Sequence, residues 1–247
     1  MSANQAYALA LGDDALILGQ RLIEWITNAP ELEEEVALAN IALDLLGQAR
    51  ALLTYAGSFD GRDEDALAYR RAPEQFRCVH LVERPNGDFA ATVARQLLFS
   101  TYQYELYSAL TTSSDETLAA VAGKAVKEVA YHRDHATLWT LRLGDGTGVS
   151  HRRMQAGLAA MWPFVDELFA PDPATGGLVG LGAAPDPAAL RPAWTRYIEG
   201  VLAEATLTVP EVDPAPGGGR TGARTPEFAA LFEEMTSLHL AHPGAQW

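Results

Sequence analysis

The sequence predicts an all-α protein whose core is a bundle of four long helices. Apolar residues recur at spacings of three and four over long segments, and no segment keeps the strict alternation of a strand. Short stretches rich in glycine, proline and asparagine separate these segments, as expected at helix ends. We therefore expect a single helical domain over residues 1–247, with the core bundle at about 4–170 and additional C-terminal helices and loops at about 171–247.

Four long segments make up the predicted core bundle. Their expected bounds in chain order are about 4–28, 31–56, 88–111 and 115–143. The first segment is apolar nearly all round, which is typical of a central helix. The second opens with four glutamates within five residues, and their charges favour a helix start. Asp88 is the expected N-cap of the third segment.

Shorter helices are expected around this bundle. They lie at about 65–71, 150–169 and 188–207, and a final helix begins at Thr225-Pro226. Ser150 is the expected N-cap of the helix at 150–169, and Pro163 should kink or interrupt it. The stretch 210–224 is rich enough in glycine and proline for us to expect a mobile loop.

Bulk composition limits the classes of partner. The formal net charge of −14 argues against a nucleic-acid or anionic-membrane surface. No segment is expected to span a membrane, and the N-terminus lacks the pattern of a secretory signal. The single cysteine, Cys78, cannot form an internal disulfide, which fits a reducing compartment. The sequence therefore predicts a cytoplasmic protein without nucleic-acid or membrane partners.

Four long helices invite a test for a di-iron centre of the carboxylate type. In that site two helices each supply a Glu, and two others each supply Glu-x-x-His, so that carboxylate and imidazole share one helix face. No acid stands three residues before any of the six histidines: His80, His132, His135, His151, His239 and His242. The first two long helices contain no histidine. The sequence therefore predicts no catalytic residue and no complete metal site in this chain.

A partial resemblance to a metal site remains on the fourth long helix. Glu128 and His132 lie on its apolar face, four residues apart and not three, and Asp44 lies at the margin of the second helix's core stripe. The favoured interpretation is a relic that forms a buried polar network of Asp44, Glu128 and His132, because buried charges need partners. The alternative is a single metal or proton site at Glu128, His132 and His135, which would make the chain an autonomous metal enzyme.

Two further clusters are candidate binding sites. The first comprises three arginines that flank an aromatic residue in an otherwise acidic chain: Arg70, Arg71, Arg77 and Phe76. It could contact a phosphate or a partner's carboxylates, although a plain surface cluster is the favoured interpretation. The second is the pair His239 and His242, for which a solvated helix C-terminus is favoured over a metal pair.

Several sequence blocks resemble one family, the PaaC subunits of phenylacetyl-CoA epoxidase. The blocks extend over nearly the whole chain: 30–50, 83–89, 124–132, 143–147 and 246–247. The resemblance implies a ferritin-like fold and a structural, non-catalytic subunit in a multicomponent oxygenase. The implied reaction is epoxidation of the aromatic ring of phenylacetyl-CoA in phenylacetate catabolism.

The resemblance also implies partners and cofactors outside this chain. The expected partner is a related catalytic ferritin-like subunit that holds the di-iron centre, together with other complex subunits and a reductase that supplies electrons from NADPH. No cofactor is expected in this chain itself. If the CoA moiety or a partner touches it, the candidate contacts are Gln75, Phe76 and Arg77. A ferritin-like interaction module with another partner is the remaining alternative.

Overall fold

The structure, a computed structural model, describes residues 1–172, 174–243 and 245. Within these residues every regular element is helical and none is a strand, so the all-α prediction is confirmed. The α-helices are α1 (Ala3–Ile23), α2 (Leu32–Ser58), α3 (Glu64–Tyr69), α4 (His80–Glu83), α5 (Phe89–Leu110), α6 (Glu116–Gly144), α7 (Gly148–Met161), α8 (Gly176–Gly180), α9 (Pro187–Glu204) and α10 (Pro226–Ala241).

The chain divides into two compact units. The first comprises Met1–Pro85 and the described residues from Gly218 onward, and it holds α1–α4 and α10. The second comprises Asn86–Gly217 and holds α5–α9. The two units do not divide near residue 170, where the boundary between the core bundle and the C-terminal helices was expected. The described residues of 171–217 belong to the second unit, and those from 218 onward belong to the first. That the chain forms a single ferritin-like domain stays a prediction.

The first unit is built on α1 and α2, which pack along each other. Gly12 on α1 allows this approach, since an added Cβ would lie 2.9 Å from a side-chain carbon of Leu53 on α2. The buried positions of α2 include Leu38, Ile41 and Leu45, as the apolar spacing predicts. α1 ends at Ile23 and not at 28, because the following residues turn and Thr27 adopts a positive φ of 73°.

One helix of the described residues, α2, is long and apolar enough to cross a membrane on length and composition alone. This differs from the expectation that no segment of the sequence meets that criterion. Within the relevant window 44% of the residues are buried inside the protein, and a core helix of a folded protein meets the same criterion. The finding is therefore weak evidence for a membrane span.

The second unit is organised around α5, which packs against α6, α7 and α9. The indole nitrogen of Trp194 on α9 donates to the backbone oxygen of Leu98 on α5 at 2.9 Å, which fixes the two helices together. Asp88 accepts from the Ala91 amide at 3.0 Å, so its predicted role as the N-cap of α5 is confirmed. Asp115 caps α6 in the same way.

The predicted helix at 150–169 begins earlier and ends earlier than expected. Thr147, and not Ser150, is the N-cap of α7, and the Ser150 hydroxyl accepts from the Thr147 amide at 2.9 Å in a capping box. The helix stops at Met161, and two 3₁₀ turns, Trp162–Phe164 and Asp166–Phe169, take its place. The predicted interruption at Pro163 is therefore confirmed.

Candidate functional site

Three acidic side chains are buried among the described residues, and all three lie in the first unit. Asp13 and Asp14 are on α1, and Glu83 ends α4. A buried carboxylate is stable only with a partner that compensates its charge. Each has an arginine in direct contact, and the pairs are Asp13 with Arg71, Asp14 with Arg220, and Glu83 with Arg224.

Asp13 anchors the segment that follows α3. One of its oxygens accepts from Arg71 Nη1 at 3.0 Å and from the Arg77 amide at 2.8 Å, while the other accepts from Arg71 Nη2. The Arg71 guanidinium also lies over the ring of Phe76, 4.0 Å from its centroid. Since the Asp13 and Arg71 side chains are only 0% and 3% exposed, this pair is shielded from solvent.

Asp14 ties the C-terminal segment to α1. Its carboxylate accepts from the Val79 amide at 2.9 Å and from Arg220 Nη2 at 2.6 Å. Arg220 Nη1 also donates to the backbone oxygens of Ala10 and Arg77. Burial raises the pKa of Asp14 to about 6, although the charge and hydrogen bond of Arg220 act in the opposite direction.

Glu83 forms the third pair. Arg224 Nη1 donates to one Glu83 oxygen, and the amide and hydroxyl of Thr225 donate to the other at 3.0 and 2.7 Å. Arg224 Nη1 also lies 2.7 Å from Cys78 Sγ. Burial raises the pKa of the Cys78 thiol well above its usual value, so this cysteine has the character of a packed thiol and not of a nucleophile.

The segment from Gly218 to Thr225 is held in place by these contacts. Arg220 and Arg224, which belong to the stretch 210–224, donate into the first unit's interior. That this stretch forms a mobile loop stays a prediction. His80 Nε2 donates to the Ala223 carbonyl at 2.9 Å. Gly222 has a φ of 93°, and an added Cβ would collide with the Glu74 carbonyl oxygen, so this position requires glycine.

The sequence did not predict that the three buried acids pair with Arg71, Arg220 and Arg224. The available signal was Asp13-Asp14, two adjacent acids in the middle of a helix that is apolar nearly all round. Two such acids require buried cations, yet the arginines that supply them are far along the chain. Arg220 and Arg224 lie in a glycine-rich stretch whose local pattern indicates only a loop.

The residues of the predicted relic belong to different units. Glu128 and His132 lie on α6 in the second unit, where His132 is buried and Glu128 pairs with Lys124 at 3.2 Å. The Glu128 side chain is 17% exposed. Asp44 is half-buried on α2 in the first unit. The predicted network that joins Asp44 to Glu128 and His132 stays a prediction.

The predicted contact residues Gln75, Phe76 and Arg77 have three different environments. Gln75 is exposed, Arg77 is half-buried and Phe76 is fully buried. The Phe76 ring packs edge-on against Phe228 and Phe232 of α10. Gln75 and Arg77 line a cavity of about 140 Å³ in the first unit. A role of the three residues in substrate or partner contact stays a prediction, and Phe76 has no accessible surface for it.

His239 contributes to a separate groove of about 760 Å³ in the first unit. Its ring stacks on Tyr69 with 5.2 Å between centroids, and its Nε2 accepts from Arg70 Nε at 3.2 Å. His242 is the exposed C-cap residue of α10. These contacts do not test whether His239 and His242 are a solvated helix end or a metal pair. The solvated helix end therefore stays a prediction.

The donor set of the described residues does not fit a di-iron centre. Such a centre needs several carboxylates and imidazoles that converge on the metals. Across the described parts of the chain no group of three or more His, Cys, Asp or Glu side chains is arranged to hold a metal ion. The three buried carboxylates are already bound to guanidinium groups.

Comparison with known proteins gives two findings. The family model described as "Phenylacetic acid catabolic protein" matches residues 2–247. The chain is also 45% identical over 248 residues to a protein of Escherichia coli (strain K12) that is named as one of the subunits of 1,2-phenylacetyl-CoA epoxidase. That match covers 100% of both chains. The family has a ferritin-like helical fold, so the predicted fold class is confirmed.

Proposed function

Because this chain belongs to the family of phenylacetic acid catabolic proteins, we propose that it is a non-catalytic structural subunit of a multicomponent di-iron oxygenase. The complex epoxidises the aromatic ring of phenylacetyl-CoA, and this chain supports the catalytic subunit. Full-length similarity to a protein named as a subunit of such an epoxidase supports the assignment. The same similarity supports a role in phenylacetate catabolism.

The structural role is supported by the partners of the buried acids. In a di-iron bundle the interior carboxylates point at the metals. Here each of the three buried acids among the described residues forms an ion pair with an arginine. The first unit's interior acids therefore hold segments of the fold together. We assign the di-iron centre to the catalytic partner and the supply of electrons from NADPH to a reductase.

An exposed apolar face supports the assignment of a protein partner. Leu32, Val36 and Leu43 on α2 are 72%, 53% and 64% exposed. Their spacings of four and seven residues put them on one side of the helix. Exposed apolar side chains of this kind are common where subunits meet. We propose the catalytic ferritin-like subunit as the main partner, with the other complex subunits and the reductase.

A cytoplasmic location is part of the same proposal. The one cysteine, Cys78, is a free and buried thiol in the structure. A free thiol is the usual state in a reducing compartment, and this supports the placement. The net charge of −14 supports the further proposal that the chain has no nucleic-acid partner.

Co-expression with the cognate catalytic subunit tests the role directly. We expect the two chains to elute together in size-exclusion chromatography, and we expect phenylacetyl-CoA turnover to require both of them. A complex assembled with His132→Gln should retain most of its turnover, because His132 takes no part in the reaction under the proposed function. The exposed variant Asp134→Asn on the same helix is the matched control.

The same experiment separates the alternatives. An autonomous metal enzyme at Glu128 and His132 would turn over substrate without the partner, and His132→Gln would abolish that activity. An interaction module for another partner would form no stable complex with the catalytic subunit. Either result would contradict the proposed function.

A further inference from the structure

We propose that Arg133 of the second unit is an anchor for a carboxylate side chain of a protein partner. Its guanidinium lies against tyrosines of two neighbouring helices, Tyr104 of α5 and Tyr197 of α9. The geometry of the chain itself defines this contact point. That the partner is a subunit of the epoxidase complex rests on the proposed function, which the inference deepens by locating a contact on the second unit.

Two aromatic rings hold the Arg133 guanidinium. Its central carbon lies 3.7 Å from the ring centroid of Tyr104 and 4.3 Å from that of Tyr197. The Tyr197 hydroxyl is hydrogen-bonded at 3.0 Å to Oγ1 of Thr137, which lies one turn after Arg133 on α6. Aromatic rings at such distances attract a cation and restrict its rotamers. The Arg133 side chain is therefore ordered before a partner binds, which lowers the entropy cost of binding.

The hydrogen-bond donors of Arg133 are not used within the described part of the chain. Arg133 forms no hydrogen bond and no ion pair there, and its Nε is buried without an acceptor. Nη1 and Nη2 are not enclosed in this way and the residue is half-buried, so the outer edge of the guanidinium faces solvent. The buried arginines of the first unit differ, because Arg71 and Arg224 each bind a carboxylate. An acceptor from outside the chain would satisfy the donors of Arg133.

The chemistry of this site favours a carboxylate that a protein surface delivers. The edge of a guanidinium matches a carboxylate through two parallel N–H···O hydrogen bonds. A dissolved carboxylate would gain little at Arg133, because an ion pair that stays in water is weak. A partner's surface would exclude water from the pair and strengthen the attraction between the two charges. Arginine and tyrosine are also the residue types that often dominate the binding energy of protein interfaces.

The junction of α6 and α9 extends beyond this anchor. The two helices are in contact, and near their C-terminal ends an added Cβ on Gly144 would collide with the Ala205 carbonyl oxygen. A cavity of about 300 Å³ at these ends is lined by Leu141, Arg142, Asp145 and Glu204. Leu141 follows Arg133 by eight residues, so roughly 12 Å of α6 separates the anchor from the cavity. A partner segment of about two helical turns would reach from one to the other.

Dissociation of the co-purified epoxidase complex tests the proposal. Mass photometry of the diluted complex gives the Kd with which each of the other subunits binds this chain. We expect Arg133→Met to raise the Kd of at least one subunit by about tenfold or more. Methionine is chosen because its thioether packs well against aromatic rings, so the space between Tyr104 and Tyr197 stays filled. Arg133→Lys, which keeps the charge but loses the planar fork, should give an intermediate Kd.

Salt dependence and a matched variant separate an ionic anchor from a packing role. A rise in NaCl from about 50 to 300 mM should weaken the unchanged complex more than the Arg133→Met complex, because the variant has one ion pair fewer to screen. Arg152→Met removes an equal charge from an exposed position of the second unit and should assemble as the unchanged chain does. The melting temperature shows whether each variant is folded. If Arg133→Met is not, Arg133→Lys carries the test, with a Kd raised by about threefold or more.

The outcomes separate the anchor from the proposed function. An unchanged Kd in the Arg133 variants, with the complex intact, would overturn the anchor alone. Equal weakening by Arg133→Met and Arg152→Met would also overturn it, because the loss would then follow net charge. A raised Kd with an unchanged salt dependence would overturn it as well, because that result indicates packing. Failure of the unchanged chain to assemble with any epoxidase subunit would contradict the proposed function and, with it, the partner assigned to Arg133.

Discussion

Replacement of Arg71 by methionine should lower the free energy of unfolding by about 3–5 kcal/mol. The variant leaves the Asp13 carboxylate, which is 0% exposed, without its cation. It also removes the donor to the Gln75 carbonyl and the guanidinium that lies over the Phe76 ring. Urea-induced unfolding of the full-length chain measures the change.

A double variant identifies the cause of this loss. Asp13→Asn combined with Arg71→Met removes the buried charge but keeps an oxygen that can accept from the Arg77 amide. We expect the double variant to be more stable than Arg71→Met alone. If it is not, the uncompensated charge is not the source of the loss. Arg50→Met, which breaks an exposed pair with Glu64, should cost less than about 1 kcal/mol and serves as the control.

Stability should also depend on pH through Asp14. The pKa of this carboxyl is raised from 3.8 to about 6 in the folded chain. Between these pH values the unfolded chain has released the proton and the folded chain still holds it, so a rise in pH favours unfolding. The contribution is fully present below pH 3.8 and is lost as the pH rises through about 6. The shift corresponds to about 3 kcal/mol, at 1.36 kcal/mol for each pH unit.

Asp14→Asn isolates this contribution. The amide cannot ionise, yet its oxygen can still accept from the Val79 amide or from Arg220. We expect the unfolding free energy of the unchanged chain to fall relative to that of Asp14→Asn between pH 4 and 6.5. Asp134→Asn, at an exposed position of α6, is the charge control. Parallel pH profiles for the unchanged chain and Asp14→Asn would contradict the assignment.

Local patterns predicted the long helices, because a helix that packs on one face has apolar residues at spacings of three and four in the sequence. The buried residues Leu38, Ile41 and Leu45 of α2 follow the helical apolar spacing on which the prediction rested, and the predicted cap of α5, Asp88, is confirmed. The end of α1 was placed too late, since its apolar residues continue to Ile26 while the backbone turns after Ile23. Apolar spacing does not show at which residue the backbone must turn so that the next helix can pack.

The long-range contacts of the first unit could not be predicted in the same way. α4 has only four residues and is wholly buried, so it has no amphipathic pattern that would indicate a helix. The pairing of Asp14 with Arg220 spans 206 residues in the chain. A single sequence shows that Asp14 needs a cation, but it does not show which arginine supplies one.

The family assignment depended on sequence blocks distributed over nearly the whole chain. The blocks at 30–50 and 124–132 lie on α2 and α6, two of the longest helices of the structure. The last block, 246–247, lies outside the described residues. The full-length match to the family confirms the resemblance. It does not identify the surfaces that meet a partner, because similar folds are used with different interfaces.

Iron quantification on the co-purified complex tests the structural role most directly. We expect the isolated chain to bind no stoichiometric iron, and we expect iron in the complex to follow the amount of the catalytic partner. The three buried acids of this chain's described residues are committed to arginines, which is the physical reason for the expectation. Iron near two atoms for each copy of the isolated chain would contradict the structural role.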